Sequence, residues 1–259
     1  MSDTHTTLRE RSAKGDIWYV GHHRIAYGDS RDAELVSRLV GKSKVKIIAC
    51  DVPYGIAYAE SKEGFADICV KKDIENDDIT DERSYETFST AWLKAILPHL
   101  DSKNAIYIFN CDKMIFALRE AMRKVNIHFA QLLIWVKNQA VIGRMDYLPQ
   151  HELIAYGWYG RHKFMRAKDK SVLCFPRPSK SPFHPTQKTT ALMRNLILNS
   201  SSVGDIVFDG FLGSGTTALA CEETGRICYG IELDPHYCDV IIRRLEDRYG
   251  LKAVKQKLL

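Results

Sequence analysis

The chain lacks several features that would assign it to a class at once. No two of its seven cysteines (Cys50, Cys69, Cys111, Cys174, Cys221, Cys228 and Cys238) form a C-x-x-C pair, and no His/Cys spacing suits zinc, so no metal centre is expected. The odd count, with thiols inside apolar runs such as "IIAC" and "ALAC", predicts buried free cysteines in a reducing, cytoplasmic setting. No apolar run approaches the length that spans a membrane, and the polar opening "MSDTHTTLRERSAKGD" predicts no signal peptide. That opening is expected to form a flexible arm over residues 1–15, ahead of a single domain at 16–259. Strong charge is also missing. A formal net charge of +5 permits a polyanionic partner without requiring one.

What is present is enough hydrophobic sequence, 45% of 259 residues, to build one large α/β core. Strand-like and helix-like patterns alternate. "KVKIIACD" has its apolar residues run together, as in a parallel strand covered on both faces. "FAQLLIWVKN" and "HELIAYGWYG" look like two strands joined by a polar loop. "PHYCDVIIRRLEDRYG" reads as a closing helix. Residues 55–81 are polar and without period, which predicts a long mobile loop. Residues 160–187 are basic, rich in proline and serine, and interleaved with phenylalanine. The alternation predicts a doubly wound, mostly parallel sheet with one antiparallel edge strand.

The stretch "FDGFLGSGTTALA" reads as a strand end, a glycine turn and a helix start. Gly213 and Gly215 let the backbone turn tightly beside a ligand, and Thr216 opens a helix whose amides point at it. Asp209 ends its strand, and Glu232, in "GIELD", ends the next. An acid there can accept hydrogen bonds from both ribose hydroxyls. NAD and S-adenosylmethionine both fit these residues.

Two further motifs separate those ligands. "DVPY" at 51–54 follows the buried strand and resembles the D-P-P-Y signature of amino-methyltransferases that act on nucleic-acid bases. "HPTQKT" at 184–189 is similar to their H-P-T-Q-K-P motif, and "FDGFLGSGTT" to their D-P-F-x-G-x-G-T-T motif. Their order resembles that of the β group of DNA amino-methyltransferases, a circular permutation of the usual seven-stranded Rossmann-like sheet. The resemblance spans roughly residues 16–245 and explains why the glycine turn comes late. In a permuted sheet, "HRIAYGD" supplies the strand beside "RICYGIEL". The implied cofactor is S-adenosylmethionine, held by Asp29, Ser30, Asp51, His184, Thr186, Lys188, Phe208, Asp209, Gly210, Phe211, Gly213, Gly215, Thr216, Glu232 and Leu233. Within that set Thr186 and Lys188 are expected near its carboxylate.

The implied chemistry is methyl transfer to an exocyclic amine, with Asp51, Val52, Pro53 and Tyr54 as the catalytic set. Asp51 accepts one amino proton, the Val52 carbonyl accepts the other, Pro53 stiffens the turn, and Tyr54 stacks on a base flipped out of double-stranded DNA. An aspartate at 51, rather than a serine, favours adenine N6 over cytosine N4 within the resembled pattern. The short segment 160–187 is expected to contact DNA. Homodimers are common in the resembled group, and a homodimer and a cognate restriction endonuclease are the candidate partners besides DNA. Val52 and Gly210 each replace a proline of the family pattern, and neither change removes a functional atom. The competing readings are an RNA or protein-amide methyltransferase, a non-catalytic DNA-binding relative and a dehydrogenase. The permuted order opposes the first, the intact motif residues oppose the second, and "DVPY" and "HPTQK" would be unexplained in the third.

Overall fold

The structure is a computed structural model that describes residues 11–53, 81–140, 146–165, 169–176 and 188–256. Strands β1 (Ile17–Val20) and β2 (His23–Tyr27) form a hairpin, followed by α1 (Ala33–Val40) and β3 (Val45–Asp51). Then come α2 (Glu82–Ile96), β4 (Leu100–Asn110), α3 (Ile115–Lys124), β5 (Ile127–Val136), β6 (His151–Tyr159) and β7 (Val172–Cys174). The chain continues through α4 (Thr190–Ser200), β8 (Ile206–Asp209), α5 (Thr216–Thr224), β9 (Ile227–Glu232), α6 (Pro235–Tyr249) and β10 (Ala253–Lys255). Short side chains set the helix starts: Asp32, Asp81 and Asp234 accept backbone N–H groups at the first turns of α1, α2 and α6.

All ten strands form one sheet, in the order β10-β1-β2-β9-β8-β3-β4-β6-β5-β7. Its centre, β2-β9-β8-β3-β4, is parallel throughout. The β2–β9 pair, Ile25 opposite Gly230, is the junction expected of a permuted sheet. The apolar run in β3 has a direct cause. Ile48 and Cys50 face the layer containing α1, α2 and α3, while Ile47 and Ala49 face the layer of α4, α5 and α6. A strand buried on both faces has no polar side to alternate with.

Three expectations change. Antiparallel pairing, foreseen at one edge, occurs on both flanks, as β10-β1-β2 and as β4-β6-β5. The chain does not close on α6: Val254 in β10 pairs with Tyr19 in β1. Inside the basic segment, β7 pairs with β5 through Leu173 and Trp135. Both added strands have three residues, too few to show a period, and only tertiary pairing creates them. Of the expected arm, residues 11–15 are tied down. The Arg11 N–H donates to Asp239 Oδ2 at 2.8 Å, and Ser12 Oγ donates to Asp239 Oδ1 at 2.9 Å. Among the described residues no helix is long and apolar enough to cross a membrane.

Candidate active site

Parallel strands bring their carboxyl ends to one rim, where open α/β sheets take their ligands. Asp51 ends β3, Asp209 ends β8, Glu232 ends β9, and Gly28 and Asp29 follow β2. The N–H of Gly28 donates to the Glu232 carbonyl at 2.9 Å, which locks the ends of β2 and β9 together. Strand β6 runs against β4, so its first residues, His151 and Glu152, enter the same rim. Lys137 enters it too, directly after β5.

The glycine turn is fastened from within. Gly213 has φ of 51° and Gly215 has φ of 84°, backbone conformations that suit glycine. A Cβ on Gly215 would lie 2.9 Å from Ile241 Cγ1. Asp209 Oδ1 accepts the N–H of Phe211 at 2.9 Å, and Oδ2 accepts the Thr217 hydroxyl at 2.5 Å. Expected at the cofactor, Asp209 spends these bonds on closing the turn onto α5. Burial pushes its carboxyl up to about 7, against the Thr217 bond. Phe208 is fully buried in the core, and Phe211 packs edge-on against Trp92, their ring centroids 5.5 Å apart. The Gly210 N–H donates to Cys50 Sγ at 3.3 Å, a bond the proline of the family pattern could not make.

Glu232 faces that turn. Its Oε2 accepts the Gly213 N–H at 2.6 Å and its Oε1 the Asp234 N–H at 2.9 Å. Burial pushes its carboxyl up to about 7, with those two donors opposing. Leu233, beside it, is half-buried. Ser30 lies next to Gly210: a Cβ on Gly210 would sit 3.0 Å from Ser30 Cβ. The buried Ser30 hydroxyl has no hydrogen-bond partner among the described residues. Asp29 is held by Arg31, with Oδ2 2.6 Å from Nη2. Burial would raise Asp29, but the Arg31 bonds outweigh it and keep the carboxyl below its ordinary value.

Asp51 belongs to an alternating row of charges. Its Oδ2 lies 2.8 Å from Lys188 Nζ. The same Nζ is 2.8 Å from Glu152 Oε2, and Glu152 Oε1 is 2.8 Å from Lys137 Nζ. Asp51 Oδ1 is buried and has no partner among the described residues, although the side chain as a whole keeps 26% exposure. Burial raises the Asp51 carboxyl, and Lys188 offsets part of that rise. Glu152 shows the opposite balance: burial would raise it, but Lys188 and Lys137 hold it down to about 2. Lys188 would be lowered by burial, yet Asp51 and Glu152 push it up to about 12. Thr216, at the start of α5, donates to the Lys188 carbonyl at 3.5 Å. Val52 is buried and Pro53 half-buried. Tyr54, His184 and Thr186 lie outside the described residues, as do residues 55–80 of the expected loop and parts of segment 160–187.

Sequence reasoning missed Glu152 and Lys137. A signal existed: "WVKN" and "HELI" each set one charge against the end of an apolar strand. Only the hairpin register, Trp135 opposite Glu152 and Val136 opposite His151, shows that the two charges meet.

A family model described as "DNA methylase" matches residues 45–243. Among curated proteins, the chain is 26% identical over 209 residues to the type II methyltransferase M.HpaI of Haemophilus parainfluenzae, covering 70% of this chain and 66% of that one. It is 25% identical over 240 residues to the type II methyltransferase M.HinfI of Haemophilus influenzae, covering 81% and 65%. It thus spans just under two thirds of those relatives' lengths. Among solved structures, the M1.HpyAVI–SAM complex superposes with a TM-score of 0.62 at 24% identity, covering 85% of this chain and 98% of that one. The PvuII cytosine-N4-specific DNA methyltransferase superposes with a TM-score of 0.66 at 13% identity, covering 89% and 92%.

Proposed function

The chain belongs to the DNA methylase family, and from that premise we propose that it transfers the methyl group of S-adenosylmethionine to N6 of an adenine flipped out of double-stranded DNA. One observation carries this reading. Among the described residues a buried carboxylate oxygen, Asp51 Oδ1, stands without a partner at the same rim as the glycine turn. The rim also fits the cofactor. Glu232 keeps lone pairs on both oxygens for ribose hydroxyls, the Ser30 hydroxyl, unpartnered among the described residues, lies beside Gly210, and the turn brings backbone close without side chains.

When bound, the cofactor would supply an electrophilic methyl group on a sulfonium, and its sulfur would keep the electron pair of the broken methyl–sulfur bond as a neutral thioether. The chain's task is to make a poor nucleophile attack it. Asp51 Oδ1 accepts one amino hydrogen of the target and the Val52 carbonyl accepts the other, which draws the nitrogen toward tetrahedral geometry. Tyr54 stacks on the base, as the resemblance implies. As the nitrogen gains the methyl group it becomes cationic, and Asp51 Oδ1 receives the proton it then loses. This is positioning and electrostatics without a covalent enzyme intermediate. The choice of adenine rests on aspartate rather than serine at 51. The likeness to the cytosine-N4 enzyme concerns the fold and carries no choice of base.

The test is direct. Purified protein is incubated with unmethylated duplex DNA and S-adenosylmethionine, and the digested nucleosides are read by mass spectrometry. N6-methyldeoxyadenosine is expected. N4-methyldeoxycytidine would overturn the base choice, and the absence of any methylated nucleoside would overturn the activity.

Cofactor affinity is expected to depend on pH. A ribose diol donates to an ionised Glu232. With a carboxyl that titrates near 7, protonation below that pH removes acceptor capacity. Calorimetry should show S-adenosylmethionine binding weakening as pH falls from 8 to 6, by at most about tenfold per unit. Glu232→Gln should bind weakly at every pH, with a flat profile. A sloping profile in that variant would assign the titration to Asp209, which titrates in the same range.

A further inference from the structure

Asp51 is the acceptor in the reading above, yet it does not stand alone. We propose that Glu152 and Lys137 are positioning residues for methyl transfer, acting through Lys188 to hold Asp51 by Oδ2 and leave Oδ1 as the acceptor. The proposal rests on the role given to Asp51 and adds two residues that no motif contains.

The geometry is a four-member row, Lys137–Glu152–Lys188–Asp51, with three contacts of 2.8 Å and charges that alternate and sum to zero. The members come from four separate places: after β5, on β6, before α4 and at the end of β3. Strand β4 lies between β3 and β6 in the sheet, and Lys188 Nζ bridges above it, 5.4 Å from the Phe109 ring centroid. The side chains of Lys188, Lys137 and Glu152 are only 4, 7 and 16% exposed.

A buried ion row is a poor device for stability. Desolvating the charges cancels much of their attraction, and apolar packing of the same volume commonly does as well or better. The row does have a clear use for a carboxylate that must accept an amino hydrogen. A lysine paired with Asp51 alone would draw charge toward Oδ2 and weaken Oδ1. Glu152 shares that ammonium and so relaxes its hold. Lys137 pairs with the other oxygen of Glu152 and adds a second positive charge to the row. The outer pair thus adjusts the basicity of Asp51 without touching the substrate.

Opposite signs follow for the two outer residues. Removing the charge of Glu152 leaves Lys188 and Lys137 acting on Asp51 unopposed, which makes it more acidic. Removing Lys137 makes it less acidic. Among the described residues, the other titratable groups near Asp51 are Asp209 on β8, Cys50 beside it on β3 and Tyr85 on α2. All three are unchanged in the variants below.

The experiment is single-turnover methylation of duplex DNA by enzyme saturated with S-adenosylmethionine, followed across pH. Glu152→Gln should move the acid limb of the rate to lower pH and lower its plateau about tenfold, as a weaker base would. Lys137→Met should move the acid limb to higher pH, and Lys137→Arg should restore it. Cofactor affinity by calorimetry should remain within about twofold in each variant. Should Glu152→Gln fail to fold, Lys137→Met and Lys137→Arg read the same quantity. Limbs that stay in place, or that move in one direction in both variants, would overturn the positioning role. Asp51→Ala serves as the separating control. If it is inactive while the limbs stay in place, only this inference fails; if it is active, the acceptor reading itself fails.

Discussion

Asp51→Ala should lower the single-turnover methylation rate by on the order of 10³-fold, the scale seen when one preorganised group is removed from a developing charge. The expectation comes from one atom. Asp51 Oδ1 is sealed from solvent and unpartnered among the described residues, while Oδ2 is committed to Lys188. Alanine removes both oxygens, so one amino hydrogen of the target loses its acceptor and the nitrogen stays flat. The fold should tolerate the change, because Lys188 keeps Glu152 as a partner at 2.8 Å and no cation is left alone. Cofactor affinity should fall only several-fold, through loss of a negative charge near the sulfonium. Asp51→Asn preserves shape and loses the charge, so its rate should lie between the two. A rate for Asp51→Ala within threefold of the unaltered protein would remove Asp51 from the chemistry.

Gly157→Ala is expected to cause the largest loss of stability of any single methyl addition at the described glycines. A Cβ there would lie 2.1 Å from the carbonyl oxygen of His128 and 3.2 Å from Met122 Cε. The first neighbour is backbone, so it cannot swing away as a side chain can. Gly157 pairs with Phe129 on β5 and Ile106 on β4, and the β5–β6 register shifts between Phe129 and Gln131. The clash therefore falls where the ladder is already irregular. A cost of about 3 kcal/mol follows from overpacking of this severity. For a chain of this size that corresponds to a fall in Tm of about 6–12 °C by calorimetry. The same strand carries Glu152, so the rate per folded molecule should fall as well. A Tm within about 1 °C of the parent would show that the hairpin yields more easily than its geometry implies.

The parallel centre of the fold was legible because its cause is local. A strand covered on both faces must be apolar along its length, and "KVKIIACD" announces this without reference to any neighbour. The permuted order was legible through motif sequence alone, and the β2–β9 pair agrees with it. The ends β7 and β10 were not legible, since three residues carry no period and each strand exists only through its partner. Asp209 illustrates a subtler limit. Its place at a strand end marks the ligand rim, but its two oxygens turn inward to Phe211 and Thr217.

By itself the sequence determined the class of sheet, the late position of the glycine turn and the presence of an acid at the end of each of three central strands. Those features follow from periodicity and from spacing along the chain. Tertiary structure alone decided that Lys188 meets Asp51 and Glu152, and that Lys137 completes the row. The first and last of these four residues, 51 and 188, lie 137 positions apart in the chain. A charge shows no preference for a distant partner in linear sequence; burial and strand register bring the partners within hydrogen-bonding distance.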